Sequence, residues 1–273
     1  MGRQKIAFIG GTGVYEQSRL DERRELTIST RYGPVFLQSG RYENREVYFL
    51  ARHGDRHSVP PHLVNYRANI TALKELGIEA VIATAAVGSL REGMAPGSRV
   101  VIDQFIDFTK GRPSTFYEGE EGEVVHTDFT QPYCPQLRAA ILRAGRKLNQ
   151  QVIDGGCYIC TEGPRFETPA EIKMFALFGA DLVGMTNVPE VTLAREAGLC
   201  YATIALVTNF AAGISTGKLS HEEVLEVMVD GKSELDLLLM SSLTEIPTVK
   251  TCECELGGRH WPTNSGTRGG VIK

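Results

Sequence analysis

The sequence lacks any long apolar run. No stretch of about 18 consecutive apolar residues occurs, so we expect no membrane-spanning helix. No charged start followed by an apolar signal region precedes the first strand-like segment, "KIAFIGG". Together these two absences favour a cytoplasmic protein that has no membrane partner.

An excess of basic residues is also missing. The chain has 29 Lys and Arg against 33 Asp and Glu, for a formal net charge of -4. Nucleic-acid binders usually carry a basic patch or stripe, so we expect no nucleic-acid partner. The composition, 42% hydrophobic and 23% charged, is typical of a globular protein with a sizeable core. A length of 273 residues permits one large domain or two small ones.

Cysteines are few and do not show the spacing of a secreted disulfide framework, which favours reduced thiols. Cys157 and Cys160 lie within a strand-like run, whereas a redox C-x-x-C usually opens a helix, so they are interpreted as core residues. Cys252 and Cys254 form a C-x-C near the end of the chain. This pair could be redox-active or bind a metal. Because no second cluster of cysteine or histidine follows at the spacing of metal ligands, we interpret the pair as two exposed thiols.

Short apolar segments alternate with helical patterns along most of the chain. Several segments are apolar throughout, as expected of strands covered on both faces. Strands are predicted at 5–11, 45–52, 80–88, 99–108, 156–163, 181–186 and 200–209, and helices at 64–76, 135–148, 169–178, 189–197 and 221–243. This alternation predicts a single α/β domain over residues 1–247, with a central mixed sheet flanked by helices. Residues 248–273 are predicted to form an irregular tail.

The loop "GGTG", Gly10 to Gly13, follows the first predicted strand. Its glycines would let backbone N–H groups approach an anion, and the Thr12 hydroxyl adds a donor. A dinucleotide fingerprint needs a third glycine where this chain has Glu16, and no P-loop lysine follows. Phosphate or another small anion therefore fits better than a dinucleotide, and a plain tight turn remains equally compatible.

Other polar and small residues also follow predicted strands. Arg52 and His53 end one strand, where open α/β sheets bind ligands, and would suit phosphate; a solvated basic loop is the alternative. Ala85 and Ala86 would let backbone amides touch a ligand, although close helix packing explains them nearly as well. Glu167 precedes a helix that begins with proline, where the helix dipole alone would favour a carboxylate.

Nine sequence blocks between about residues 5 and 245 carry a family resemblance: "IGGTG", "LARHG", "VNYRANI", "GSLRE", "DQFID", "EGPRFET", "MTNVPE", "LARE" and "CYA". In their order and spacing the chain resembles the trimeric purine nucleoside phosphorylases and the related methylthioadenosine phosphorylases. The resemblance implies the nucleoside phosphorylase fold, a pentosyltransferase of purine salvage, and a homotrimer or a dimer of trimers. It implies no cofactor and no metal, with inorganic phosphate as a co-substrate.

The resemblance also implies roles for individual residues. Phosphate would be held by Thr12, Arg52, His53, Ala85, Ala86 and Thr186; the nucleoside would be bound by Met185, Phe166, Glu167, Asn209, Ala211 and His221, and by His126 reaching into a neighbouring subunit's site. His53, Glu167 and Asn209 would be catalytic. The chain departs from the family at Ala85, where methylthioadenosine enzymes often carry a hydroxyl residue, so one side-chain hydrogen bond to phosphate would be missing.

Three positions favour one substrate. Adenine-specific relatives have Asp where this chain has Asn209, and an amide can donate to O6 while accepting from N7–H. Glu167, when ionised, only accepts, which suits N1–H of a 6-oxopurine. His221 stands where 5′-methylthio enzymes carry an apolar residue, and it could bind a 5′-hydroxyl or simply belong to the start of a helix after Ser220.

We therefore expect phosphorolysis of inosine and guanosine to the free base and ribose 1-phosphate. One alternative is an S-methyl-5′-thioinosine or methylthioadenosine phosphorylase. The other is a non-catalytic or dinucleotide-binding α/β protein built on the "GGTG" loop.

Overall fold

The computed structural model describes residues 4–11, 20–43, 45–54, 58–119, 124–215 and 221–261, with the backbone alone at 221–225. Its strands are β1 (Ile6–Gly10), β2 (Asp21–Thr30), β3 (Gly33–Tyr42), β4 (Arg45–Ala51), β5 (Ala80–Ser89), β6 (Arg99–Val101), β7 (Gln104–Phe108), β8 (Val152–Asp154), β9 (Cys157–Thr161), β10 (Leu182–Gly184) and β11 (Cys200–Phe210). Its helices are α1 (Tyr66–Glu75), α2 (Pro135–Lys147), α3 (Pro169–Leu177), α4 (Asn187–Glu196) and α5 (His221–Glu245).

The sheet branches at β5. One edge of β5 pairs in parallel with β11 along its whole length. The other edge is shared, because β1 pairs in parallel with Ala80–Ala83 while β10 pairs antiparallel with Gly88 and Ser89. The strand order is β2-β3-β4-β1-β5-β10-β9-β7, and β11 continues the branch to β6 and β8. The predicted mixed sheet flanked by helices is confirmed.

Helices cover both faces of this sheet. Helices α1 and α4 pack together over one apolar cluster, and α2 and α5 pack together over another. Strands β1, β5 and β11, which are apolar throughout, are almost entirely buried, as their sequences predict. Asn65 caps α1 by accepting from the Ala68 N–H at 3.1 Å. Thr168 and Glu171 form a capping box at the start of α3.

Two parts of the sheet differ from the prediction. The single strand predicted over 99–108 is two strands, because β6 pairs with β11 and β8 while β7 pairs with β9. The β2–β3 hairpin and the short β8 were not predicted. Most of β2 is exposed and charged, so its sequence shows little of the apolar alternation that signals a strand. The helix predicted from residue 189 is confirmed: the bounds of α4 include Asn187, but Val188 has non-helical φ and ψ of -111° and 131°, so the regular helix begins at Pro189.

The end of the described chain is ordered by packing. Residues Cys254–His260 form a 3₁₀ helix that packs against α4, and Trp261 meets Phe116 edge to face with ring centroids 4.8 Å apart. Cys254 is buried, so the expected pair of exposed thiols is wrong. Residues 262–273 of the predicted tail lie outside the described residues. No helix among the described residues is long and apolar enough to cross a membrane.

Candidate active site

An opening in the layer that covers the sheet lies over β5. Every residue of β5 is buried except Ala86, which is exposed in the middle of the strand's second half. Strand β10 runs antiparallel to β5 from the pair Leu182–Ser89, so Met185 and Thr186, which follow β10, run back toward Ala86. The opening is therefore bordered by residues from two neighbouring strands, and small side chains form its floor.

Arg52 lies at the end of β4, where it is fixed by protein contacts. Its Nε and Nη2 donate to the Glu190 carboxylate at 2.7 Å each, and Nη1 donates to the Thr84 carbonyl at 2.9 Å. Burial alone would lower the pKa of Arg52, but the Glu190 carboxylate reverses the effect and raises it, so the guanidinium stays charged. A guanidinium has five N–H donors. Among the described residues, one N–H on each Nη has no partner and could meet an anion.

Glu190 is a site residue that the sequence analysis missed. Its side chain is 0% exposed, and Oε1 also accepts from the Tyr201 hydroxyl at 2.7 Å. A buried charge pair of this kind holds both partners in one geometry, because separating them leaves an uncompensated charge. The sequence places Glu190 in an ordinary helical segment, so only its packing against Arg52 shows its role.

His53 is buried next to Arg52. Its Nδ1 lies 2.8 Å from the Val59 carbonyl oxygen, which can only accept, so Nδ1 carries the hydrogen. In the neutral ring this leaves Nε2 as the acceptor. The ring is thus held in one tautomer at the same end of the sheet as Arg52.

Glu167 is half-buried in the segment between β9 and α3. Its Oε1 accepts from the Thr161 hydroxyl at 2.6 Å. Burial raises the pKa of Glu167, and the hydrogen bond from Thr161 offsets part of that rise. Glu167 and Thr161 help to line a cavity of about 160 Å³ that also contacts Phe108 and Phe175. Phe166, 40% exposed, lies directly before Glu167.

A β-bulge sets the direction of Asn209. The register of β11 against β5 shifts between Val207 and Asn209, so that Asn209 pairs with Gly88. Bulges beside sites re-aim side chains in this way. The Asn209 Oδ1 accepts from the Thr208 hydroxyl at 2.9 Å, and Nδ2 donates to the Phe210 carbonyl at 2.9 Å. A Cβ at Gly88 would lie 3.2 Å from Nδ2, so glycine there gives the amide its space.

The loop after Asn209 contacts the start of α3. A Cβ built at Gly213 would lie 2.9 Å from Cβ of Pro169, two residues beyond Glu167. Ala211 is buried in one apolar cluster with Ile172 of α3. The two residues predicted to read the base, Asn209 and Glu167, therefore belong to segments in direct contact.

Arg112 is the second residue that the sequence analysis missed. Its Nη1 donates to the carbonyls of Met185 and Val188 at 2.7 Å each, and its Nη2 donates to those of Thr161 and Glu162 at 3.1 and 2.7 Å. The buried guanidinium therefore joins the Glu167 segment to the Met185 segment. In the sequence it stands in the polar stretch "KGRPS", which looks like any solvated loop.

The remaining predicted residues differ in how much of their surroundings the structure describes. Thr186 occupies the N-cap position of α4 without a capping bond from its side chain, and Met185 abuts Gly163. His126 is exposed. Thr12 and the side chain of His221 lie outside the described residues. The individual roles of all these residues stay predictions.

Comparison with known proteins identifies the family. Residues 5–244 match the model of the phosphorylase superfamily. The chain belongs to this superfamily. It is similar to a "Probable 6-oxopurine nucleoside phosphorylase" of Dictyoglomus turgidum, with 53% identity over 92% of this chain and 95% of the relative. It is also similar to the "6-oxopurine nucleoside phosphorylase" of Pyrococcus furiosus, with 50% identity over 92% of this chain and 96% of the relative.

This phosphorylase also has solved structural neighbours. A crystal structure of methylthioadenosine phosphorylase from an antarctic soil metagenomic library superposes with a TM-score of 0.87 at 35% identity, covering 94% of this chain and 91% of that chain. The predicted family and fold are confirmed. The family match excludes the alternative of an unrelated dinucleotide-binding protein built on the "GGTG" loop.

Proposed function

We propose that this phosphorylase cleaves 6-oxopurine nucleosides, inosine and guanosine, with inorganic phosphate. The observation that carries the proposal is the Asn209 amide, aimed by the β11 bulge and standing on a segment in contact with that of Glu167. The names of the two relatives at 53% and 50% identity support the same substrate class.

The chemistry of the two side chains favours a 6-oxopurine. Among the described residues, Oδ1 and Nδ2 of Asn209 each make one hydrogen bond, so the amide retains an N–H for O6 and a lone pair for N7–H. Glu167 already accepts from Thr161, and its carboxylate can accept further from N1–H. Adenine would set its N1 lone pair against Glu167 and its amino group against the Asn209 donor.

Phosphate would bind on the other side of the opening over Ala86. Arg52 provides a fixed positive charge there, and His53 lies directly beside it. The backbone of Ala85 and Ala86, the Thr186 hydroxyl and Thr12 would complete the cradle. Because Glu190 already neutralises part of the Arg52 charge, much of the selectivity for phosphate would come from directed N–H groups rather than from net charge.

The reaction needs no covalent enzyme intermediate. Phosphate oxygen forms a bond to C1′ as the bond from C1′ to N9 breaks, and the bonding pair leaves with the purine. Negative charge builds on the departing base, where Asn209 and Glu167 act as preorganised partners and Asn209 favours protonation at N7. Holding phosphate and nucleoside in line supplies much of the acceleration. That the chemistry uses no cofactor and no metal stays a prediction.

The first experiment follows products with and without phosphate. Purified enzyme should convert inosine to hypoxanthine and ribose 1-phosphate, in equal amounts, only when phosphate is present. Guanosine should react in the same way, whereas adenosine should not. Release of free ribose without phosphate would identify a hydrolase and contradict the proposal.

A methylthioinosine phosphorylase is the second candidate, favoured by the structural likeness to a methylthioadenosine phosphorylase. Position 221 separates the two, because an imidazole can hydrogen-bond a 5′-hydroxyl and methionine would pack a thiomethyl group. His221→Met should weaken inosine cleavage and improve methylthioinosine cleavage. An unchanged ratio of the two kcat/KM values would leave His221 with a role at the start of α5 alone.

We further propose a cytoplasmic homotrimer or dimer of trimers. Large apolar side chains are exposed at Phe36, Val124, Leu177 and Phe178, and exposed apolar surface commonly marks an interface. His126, two residues from Val124, is exposed and would reach a neighbouring subunit's site. Light scattering should give about three or six times the chain mass of 29.9 kDa. A monomer at working concentration would contradict this assembly.

A further inference from the structure

Four cysteines that are far apart in the sequence meet at one place. The Sγ atoms of Cys134, Cys200, Cys252 and Cys254 all lie within 4.8 Å of one another. Cys134 is the N-cap of α2, Cys200 begins β11, and the other two belong to the segment after α5. Three of the four are buried, and Cys252 is half-buried. The chain therefore gathers four thiols from three separate segments.

The arrangement has the ligand number and size of a tetrahedral metal site. Zn–S bonds of about 2.3 Å place tetrahedral sulfur atoms about 3.8 Å apart, and structural zinc is commonly held by four cysteines. The Sγ atoms of Cys200 and Cys252 are 3.4 Å apart, too far for the covalent bond of about 2.05 Å in a disulfide. Small side-chain shifts would bring the cluster to zinc geometry.

Surrounding hydrogen bonds hold the segments that carry the cluster. The Gln136 Oε1 accepts from the backbone N–H groups of Thr251 and Cys252 at 2.9 and 3.1 Å, which fixes the approach to the C-x-C. The Cys134 N–H donates to the Tyr201 carbonyl at 2.8 Å, beside Cys200. Lys250, two residues before Cys252, lies 3.9 Å from the Glu255 carboxylate, so an ion pair flanks the C-x-C. Outer contacts of this kind orient ligands and stabilise a bound metal.

We propose that Cys134, Cys200, Cys252 and Cys254 bind one structural Zn²⁺ ion that fastens the C-terminal segment to the domain. Four thiols release four protons to solvent as four Zn–S bonds form, leaving a net charge of -2 on the complex. No thiol changes its oxidation state. With all four positions taken by sulfur, the ion has no open position for substrate, so it is structural rather than catalytic.

The site would support the catalytic region indirectly. Beyond Cys254, the 3₁₀ helix packs so tightly on α4 that a Cβ at Gly257 would lie 2.2 Å from the Arg195 carbonyl. The same helix α4 carries Glu190, the partner of Arg52. Loosening the C-terminal segment should therefore weaken the packing of the helix that holds the phosphate-side arginine.

Metal content tests the proposal directly. The chain, purified in reducing buffer without a metal-affinity tag from zinc-supplemented cells, should contain about one zinc per chain by plasma mass spectrometry. The Cys252→Ser/Cys254→Ser variant should contain at least about tenfold less zinc per chain than the wild type, and it should unfold at a lower temperature. Cys157→Ser, the same change at a half-buried cysteine outside the cluster, should keep its zinc.

A second measurement keeps the test independent of variant folding. Cobalt supplied to the wild-type chain after zinc removal should show the visible absorption bands of tetrahedral thiolate coordination, and zinc should abolish them. Wild-type protein without zinc, or with iron in its place, would overturn the proposal. So would a zinc-free chain whose intact mass is lowered by the hydrogens lost in forming disulfides among these cysteines.

Discussion

At the scale of single residues, the pair of Arg52 and Glu190 limits how the site can bind an anion. The sequence and the family resemblance predict Arg52 as a phosphate ligand, and in the structure its Nε and part of each Nη already donate to Glu190 and Thr84. The arginine is therefore both a candidate ligand and a part of the core. A loss of function at Arg52 alone would not separate these two roles, so its partner is the better position for a stability test.

Glu190→Gln should lower the free energy of unfolding by about 3 kcal/mol or more, because it leaves the buried guanidinium without its counter-charge. The matched control is Glu234→Gln, which breaks an ion pair with Arg99 at a carboxylate that is 56% exposed. That change should cost about 1 kcal/mol or less. Urea denaturation of both variants measures the difference, and equal small losses would contradict the structural role of Glu190.

Glu167 predicts a particular pH dependence. Its pKa is raised by burial and held down in part by the Thr161 hydrogen bond. A reaction that needs the ionised carboxylate loses activity as the pH falls through that raised pKa. Thr161→Val removes the restraining hydrogen bond, so the acid limb of kcat/KM for inosine should move to higher pH.

The profile of Thr161→Val is compared with wild type and with Thr244→Val, an exposed threonine on α5. The titration of phosphate itself is common to all three enzymes and cancels in the comparison. An acid limb that stays at the wild-type pH in Thr161→Val would show that Glu167 does not act as a carboxylate in the rate-limiting step.

At the scale of elements, apolar strands and capped helices could be predicted because their signals are local. β1, β5 and β11 are continuous apolar runs, and α3 begins at Pro169 behind a capping box of Thr168 and Glu171. The exposed β2 carries no such signal. Neither does the bulge at Thr208, which depends on the register of β11 against β5. The direction of the Asn209 side chain could therefore not be predicted from the sequence of β11 alone.

The contact between the Asn209 loop and α3 can be tested with a pair of glycines. Gly213→Ala should raise the KM for inosine about tenfold, since the new Cβ would meet Pro169 at 2.9 Å and displace the segment that carries Asn209, the proposed base ligand. Gly179→Ala is the control, because Gly179 has a similar φ of +87° against +81° but nothing within 4 Å of an added Cβ.

Both variants carry the cost of an alanine in left-handed backbone, so both should lose stability. Steady-state kinetics with inosine varied at saturating phosphate isolates the effect on the nucleoside. Equal KM values in the two variants would show that the Gly213–Pro169 contact does not help to position the base.

At the scale of the whole molecule, the family could be predicted from the sequence, whereas the contacts between distant segments could not; the base-binding roles of Asn209 and Glu167 stay predictions. The sequence does not indicate that Cys134 and Cys200 contact the C-x-C, because Cys200, the nearer of the two, is 52 residues away from Cys252. Arg112 and Glu190 are likewise recognisable only once the branched sheet has brought their partners together. Long-range packing, rather than local pattern, decides all three features.

The central claim is that Asn209 and Glu167 select a 6-oxopurine, and substrate preference tests it most directly. The measurement is the ratio of kcat/KM for inosine to that for adenosine, in wild type and in Asn209→Asp. Wild type should favour inosine by about four orders of magnitude, because adenine leaves buried polar groups unpaired. Asn209→Asp should cut inosine cleavage and raise adenosine cleavage only in part, since Glu167 still opposes N1, and adding Glu167→Ser should release more. A wild-type enzyme that cleaves adenosine as well as inosine would contradict the account.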